Sequence, residues 1–506
     1  MKRAIWGLLC VVYLWSFPYF PGIHSANETP RVYLVKAIAD HGRFSIEDQV
    51  RPDDITGDMS PAGGHTYSNK APGSSMLAVP PYWIVSKIFG EPSFATTLWI
   101  CRVWTGVIPT LLFLILLWRF LARWAPREST RRLVIVAYAL GSMAMTYSIL
   151  FIAHQLSAVC IGTAWIVCVW VIDDGWDPRW MIAAGAAAGA APLVDYQAAL
   201  AGVPIAIYVV VRGWRDRPRL LRAVGFAVAG AAVPIAILLG YHWACFGSPL
   251  RTGYDASKSY EALHSQGFLG LSQFRIAAFV GSFFAPDNGL FVLSPWVVAT
   301  IPGLVLLWKR GERRHVWVAG SICILYVWFV SSLAMWHGGW AMGPRYITAV
   351  LPFTLPGVAV LATWADDDPR RWWARALLIA GVVVACIIYV SSCAEYPHFP
   401  GEPASAGKWT NPLYEITFRL IREDHAPWNV GWLVGLRGVI SIVPAFLAAG
   451  LVVALAVRRD RRATIAGVAL AIALVGAYAL FPRGTDPSRE TSYTRFIAGV
   501  FPDSRP

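Results

Sequence analysis

The feature that most constrains this chain is a recurrence of apolar runs about as long as a bilayer is thick. Crossing roughly 30 Å of hydrocarbon takes about 20 residues of helix. Unpaired backbone in lipid is so costly that a spanning segment must be a helix or part of a closed barrel. Thirteen such runs are predicted, at 4–20, 94–117, 132–152, 156–172, 180–196, 198–211, 221–244, 289–308, 315–335, 346–364, 375–393, 433–456 and 463–481. Only 14% of the residues are charged and 56% are apolar or aromatic, too little polar surface to cover soluble cores of this size. The expected class is an all-α polytopic integral membrane protein. Pro192 and Asp195 interrupt the 180–211 stretch, so two short spans are expected there. Residues 74–90 carry Pro80, Pro81 and Lys87 and are expected to lie at the membrane interface.

Charge then sets the expected sidedness. With the N-terminus inside, the inner segments are 1–3, 118–132, 173–179, 212–222, 309–314, 365–375 and 457–462. They hold 24 Lys and Arg against 10 Asp and Glu. The net charge of +13 is therefore a topology signal, as the positive-inside rule requires, and it does not point to nucleic acid. An odd number of spans places residues 482–506 outside. Lys2 and Arg3 before an apolar run resemble a secretory signal, but His24 spoils the small-residue pattern ahead of Ser25-Ala26. An uncleaved first helix is expected. The eight cysteines show no metal-ligand spacing.

The inner connections are short. The outer ones, 21–93, 245–288 and 394–432, are long, and loops of that length are uncommon unless functional. In the first, Thr29 before Pro30 reads as a helix start and Gly42 as its end. Val32, Val35, Ile38 and Ala39 share one face, which predicts a surface helix. An acidic stretch follows (Asp48, Asp53, Asp54, Asp58), then a polar loop over 63–73 and the second interfacial helix.

Glu28 follows the outer end of the first span, and Lys70 and Arg345 stand at the outer ends of other elements. A carboxylate facing two cations suits chemistry that removes a proton and holds an anion, such as a lipid-linked phosphate leaving group. An Arg grips two phosphate oxygens at once. Each residue also has a plainer reading: a solvated loop charge for Glu28, lipid headgroup contacts for Lys70 and Arg345. Tyr67, Asn69, Pro72 and Gly73 are expected to fix Lys70 in a turn, with Tyr67 and Asn69 as candidate substrate contacts. His154 and Gln155 either contact substrate hydroxyls or bond neighbouring helices. His65 and His337 are candidate sugar contacts. Asp195, costly in an apolar segment, is either a site residue or the cap of a broken helix.

These residues resemble a family. An acidic residue after the first span, a large outer loop with two surface helices, and Tyr67-Ser68-Asn69-Lys70-Ala71-Pro72 are similar to the GT-C membrane glycosyltransferases, in particular the protein O-mannosyltransferases and the lipid A aminoarabinose transferases. Arg345-Tyr346-Ile347-Thr348-Ala349-Val350-Leu351-Pro352 resembles their later Arg-Tyr segment. Asn27-Glu28 stands where their Asp-containing pair falls, Ala71 replaces a Pro, and His154-Gln155 occupies the region of a second acidic residue. The resemblance implies a GT-C-type fold in a bacterial inner membrane with a periplasmic site. It implies a polyprenyl-phosphate-linked sugar donor, transfer with inversion to an envelope glycan, lipid or protein, and no metal or cofactor. Glu28 would then activate the acceptor, Lys70 and Arg345 would bind donor phosphate, and Tyr346 would lie beside them.

The expected organisation is a catalytic module over 1–393, followed by the 394–432 loop, two spans and a short outer tail. Two other functions fit parts of the sequence. A lipid-linked glycan flippase or transporter would use Asp195 and the glycine-rich stretch 183–191, but the two halves show no repeat. An O-antigen ligase or polymerase would use a late outer loop, where His398, Arg419, Arg422 and His425 lie.

Overall fold

The computed structural model describes residues 3–15, 25–51, 56–259, 261–268, 270–399 and 409–500. Residues 16–20 of the first predicted span, and Asp53 and Asp54 of the acidic stretch, lie outside them. Among the described residues nine helices are long and apolar enough to cross a membrane: Phe94–Arg123, His154–Ile172, Tyr196–Gly213, Arg217–Phe246, Arg313–Ser332, Arg345–Asp366, Pro369–Glu395, Gly438–Val457 and Arg461–Tyr478. Ala4–Trp15 and Pro295–Lys309 are shorter apolar helices.

The other predicted spans are interrupted for local reasons. Segment 132–152 breaks into Glu128–Leu140 and Met143–Ser148. Ser142 is extended there, and its hydroxyl accepts from the Ala144 N–H at 3.1 Å, an N-cap that starts a new helix. Met181–Val194 is only 14 residues long, and extended Asp195 ends it. Segment 289–308 is divided at Ser294.

Close packing rests on small residues. A Cβ on Gly185 would lie 1.9 Å from the Ala227 carbonyl oxygen, and one on Gly230 would lie 2.1 Å from that of Ile182. Backbone contact between Met181–Val194 and Arg217–Phe246 is thus obligatory, as in small-residue membrane interfaces. Phe94–Arg123 contains one wide turn at Val103–Val107. There Gly106 meets the Ser148 carbonyl, 2.0 Å from where a Cβ would sit.

The predicted inner segments are drawn together by ion pairs. Asp366 receives Arg375 and Thr130 and pairs with Arg459 at 3.2 Å, while Arg127 reaches Asp367 at 2.5 Å. Asp173 pairs with Arg212 at 3.2 Å and Arg314 at 3.1 Å, and Arg123 with Asp174 at 2.5 Å. Residues from all three long outer loops instead meet around one cavity.

In the first loop, Thr29–His41 ends at Gly42 with φ +64°. It is not a surface helix: Thr29 to Ala37 are all buried, because both faces are covered by other elements. Gly73–Phe89 does expose an apolar face, with Leu77, Trp83, Ile84, Ile88 and Phe89 open. Between them Met59–Ala62 and His65–Ser68 pair antiparallel, with Ala62 opposite His65. Gly63 and Gly64, at φ +57° and +84°, form the two-residue turn that matches strand twist. The tail helix Arg489–Val500 is locked onto the late outer loop. Glu490 pairs with Arg419 at 2.9 Å, Arg489 with Glu415 at 3.0 Å, and the Tyr493 hydroxyl donates to Glu423 at 2.8 Å.

Candidate active site

The cavity holds about 940 Å³ and has three kinds of wall. One is charged: Arg31, Asp58, Lys70, His154, Asp195 and Arg345. One is apolar: Leu200, Leu263, Phe268, Leu271, Trp328, Phe329 and Leu333. The third carries Trp340, Tyr396, His398 and Trp409, with Ser492 and Arg495 from the tail helix. Phe268 and Trp328 are also exposed, and Trp328 and Phe329 belong to Arg313–Ser332, a helix long and apolar enough to cross a membrane.

Lys70 follows directly from the hairpin. The backbone N–H of Asn69 donates to the Asp58 carbonyl at 3.2 Å, and that of Lys70 donates to the Ser68 hydroxyl at 3.2 Å. Gly73 then passes the Leu193 carbonyl with no room for a Cβ, which would lie 2.7 Å away. So held, the Lys70 ammonium pairs with Asp58 at 2.8 Å and lies 5.5 Å from the Tyr254 ring centre. Burial pushes the Lys70 ammonium below its ordinary value. Asp58 opposes the shift, and the nearby charges of Arg345 and Arg31 add to it.

Arg31 lies one turn after Asn27 and is fixed from both sides. It donates to the Asn27 side chain at 3.2 Å, to the Ser74 hydroxyl at 2.6 Å and to the Ala71 carbonyl at 3.3 Å. Arg345 opens the Arg345–Val350 turn. Its guanidinium lies 5.3 Å from the Tyr346 ring centre and donates to that hydroxyl at 3.5 Å. Its Nε is buried with no hydrogen-bond partner among the described residues. Gly338, at φ +71°, makes room for it: a Cβ there would lie 2.8 Å from that Nε. His154 and Asp195 face each other across the same wall, Nδ1 to Oδ2 at 2.7 Å. Gln197 also donates to this Asp195 oxygen, at 3.0 Å.

Of the residues singled out in the sequence, Lys70, Arg345, His154, Asp195 and Tyr346 line the cavity. Glu28 stands behind the wall, fully buried. Arg102 grips its two oxygens at 2.8 and 2.7 Å, and the Phe151 N–H donates at 2.6 Å. Burial raises its carboxyl, but Arg102 and these hydrogen bonds outweigh burial and hold it below the usual value. Asn69 is buried with its amide on Asp58 at 3.3 Å. Tyr67 packs on Phe246, ring centres 5.7 Å apart. Gln155 donates to the Tyr138 hydroxyl at 3.0 Å. His65 pairs with Glu47 at 2.8 Å on the outside of the hairpin. His337 accepts from the Gly339 N–H at 3.0 Å, and burial, with Arg345 nearby, pushes its imidazole down to about 4. None of these six lines the cavity.

Sequence reasoning missed Arg31, Asp58 and the tail. Arg31 had one usable signal, its spacing of four from Asn27 on a helix that begins at Pro30. Asp58 was one of several loop carboxylates, and its selection by Lys70 depends on hairpin register. Of the late-loop residues weighed for a ligase, His398 lines the cavity and Arg419 is engaged by Glu423 and Glu490. Among the described residues no three His, Cys, Asp or Glu side chains converge as a metal site.

No protein-family model matches the chain, and no curated protein matches it. The chain shares its fold with a solved structure, ArnT from Cupriavidus metallidurans bound to undecaprenyl phosphate. The TM-score is 0.51 at 16% identity, over 98% of this chain and 79% of that one. The oligosaccharyltransferase AglB from Archaeoglobus fulgidus, in complex with an inhibitory peptide and a dolichol-phosphate, gives 0.47 at 12% identity, over 83% and 59%.

Proposed function

We propose that this protein is a glycosyltransferase. It takes a sugar from a polyprenyl-phosphate donor and passes it, with inversion, to a cell-envelope glycan, lipid or protein on the outer face of the membrane. One observation carries the reading: Arg31, Lys70 and Arg345 converge on a cavity whose next wall is apolar and includes Trp328 and Phe329 of the candidate membrane span Arg313–Ser332. A phosphate with a long hydrocarbon tail satisfies both walls, whereas a soluble anion satisfies one. The undecaprenyl phosphate bound to ArnT, a protein of the same fold, supports this choice.

The chemistry follows from where charge develops. As the bond from the anomeric carbon to phosphate oxygen breaks, negative charge grows on the phosphate. Cations already in place stabilise that charge more than they stabilise the bound donor. Arg345 brings a donor nitrogen with no partner among the described residues, and Lys70 brings a charge now answered by Asp58. In this reading Glu28 is a positioning residue. Through Arg102 and the Phe151 N–H it ties the start of the Thr29–His41 helix, and hence Arg31, to the bundle.

The test is transfer of labelled sugar from a panel of polyprenyl-phosphate hexoses and pentoses to the cell-envelope fraction by purified protein. Lys70→Ala and Arg345→Ala are each expected to raise the donor KM and lower kcat. Each loses a charge-assisted contact, about tenfold or more in kcat/KM. Failure of the wild type to bind polyprenyl phosphate or to transfer from any of these donors would sink the reading.

A further inference from the structure

The transfer reaction needs a group to take the proton of the attacking hydroxyl, and two of the acids near the cavity are already engaged. Glu28 is behind the wall with its oxygens on Arg102 and the Phe151 N–H. Asp58 holds Lys70 and the Asn69 amide. His154 differs. Its Nδ1–H donates to the Asp195 carboxylate, an acceptor only, and in that tautomer the lone pair is on Nε2. That Nε2 is buried and has no partner among the described residues, and His154 lines the cavity beside Arg345 and Tyr346. A base in a cavity wall, oriented by a third group and with no partner among the described residues, can serve an acceptor hydroxyl once a bound acceptor opens the wall over it.

We propose, resting on the glycosyltransferase reading above, that His154 is the general base and Asp195 its positioning residue. The acceptor oxygen bonds to the anomeric carbon and its proton passes to Nε2. The bond between that carbon and the donor phosphate oxygen breaks, and its electron pair leaves with the polyprenyl phosphate. The imidazolium formed is stabilised by Asp195 and returns its proton to water after release. Asp195 itself is held by the Gln197 amide at 3.0 Å, which fixes both the tautomer and the ring orientation.

The groups facing the imidazole are Asp195 and Gln197 at the helix break, Tyr147 with ring centres 5.4 Å apart, and Tyr346 at 5.6 Å. The charges of Arg345 and Arg31 also act on it. None of the two tyrosines and two arginines is a better proton acceptor at neutral pH. The dyad also explains why an acidic side chain stands at Asp195, where the chain otherwise runs apolar.

The experiment compares wild type, His154→Gln, Asp195→Asn and Glu28→Gln in the same transfer assay, with binding of undecaprenyl phosphate measured on each purified protein. His154→Gln is expected to lose at least about 100-fold in kcat, with lipid-phosphate binding within about threefold of wild type. The wild-type rate falls on the acid side as the imidazole protonates, and that limb is absent from the residual activity of His154→Gln. Asp195→Asn should lower kcat and shift the limb without abolishing lipid binding. Should His154→Gln transfer at near wild-type rate, or keep the acid limb, the proposal is overturned while the donor reading stands. No transfer by the wild type overturns both. A loss confined to Glu28→Gln, with His154→Gln active, likewise overturns the proposal and leaves Glu28 its positioning role.

Discussion

Arg31, Lys70 and Arg345 place three positive charges against two carboxylates, Asp58 and Asp195, around one cavity. Asp58 therefore occupies Lys70 as an internal counter-ion at 2.8 Å, and an incoming phosphate must compete with it. Asp58→Asn is expected to tighten binding of undecaprenyl phosphate by roughly tenfold, the scale of one partly screened charge interaction. Titration of the purified variant checks this, and weaker binding would mean that Asp58 is part of the phosphate cradle. Glu28→Gln leaves Arg102 buried without its carboxylate. Breaking such a pair costs about 3–5 kcal/mol, so a lower melting temperature is expected before any substrate is added. His398 supplies a pH signature. Burial, only partly offset by Glu28, pushes it from 6.5 to about 4. Its folded value lies below the unfolded one, so the unprotonated form stabilises the fold. That stability is complete above about 6.5 and is lost as pH falls toward 4. The melting temperature should decline over that window, and less steeply in His398→Gln. At this scale the sequence exposed Lys70, Arg345 and His154 because each stands in a distinctive local setting. It could not show that Glu28 points at Arg102, 74 residues away, because nothing local to Glu28 encodes that partner.

Elements were legible where periodicity and length act alone. Gly42 ends the first outer helix as expected, and the 156–172 run folds as His154–Ile172. The failures have physical causes. In 132–152, apolarity says nothing about the Ser142 cap that divides the run. The hairpin at 59–68 lacks β-branched residues apart from Thr66 and contains Pro61, so strand propensity is weak. Its strands are fixed by the Gly63-Gly64 turn and by the Ser60 hydroxyl donating to the Gly253 carbonyl at 2.5 Å. The Met181–Val194 helix invites a direct test. Its contact with Arg217–Phe246 has no space at Gly185 or Gly230. Gly185→Val is expected to force the helices apart at a cost of about 1–3 kcal/mol. Gly225→Ala on the same partner helix, where the added Cβ meets nothing, should leave the melting temperature unchanged or slightly higher. Equal melting of the two variants in detergent would show that this contact carries no stability.

The whole molecule is organised as two faces, and the charges that mark them have different partners. Predicted inner segments far apart in sequence meet through Asp173 and Asp366, so the basic excess is tied down at one end of the bundle. The outer loops meet at the other, around the cavity, and the tail helix joins them: Ser492 and Arg495 line its wall while Glu490 holds Arg419. A tail that lines the cavity must lie on the cavity's side of the membrane. On the topology we propose from the positive-inside rule, that side is the outer one. Single cysteines at two exposed positions, Thr494→Cys in the tail and Arg215→Cys in an inner segment, separate the alternatives. The eight native cysteines are buried or half-buried, so the background is low. In intact cells a membrane-impermeant maleimide is expected to label Thr494→Cys and to spare Arg215→Cys until the membrane is opened. The reverse pattern would turn the cavity toward the cytoplasm. The proposed acceptor would then have to be a cytoplasmic molecule, although the phosphate cradle itself would be unchanged.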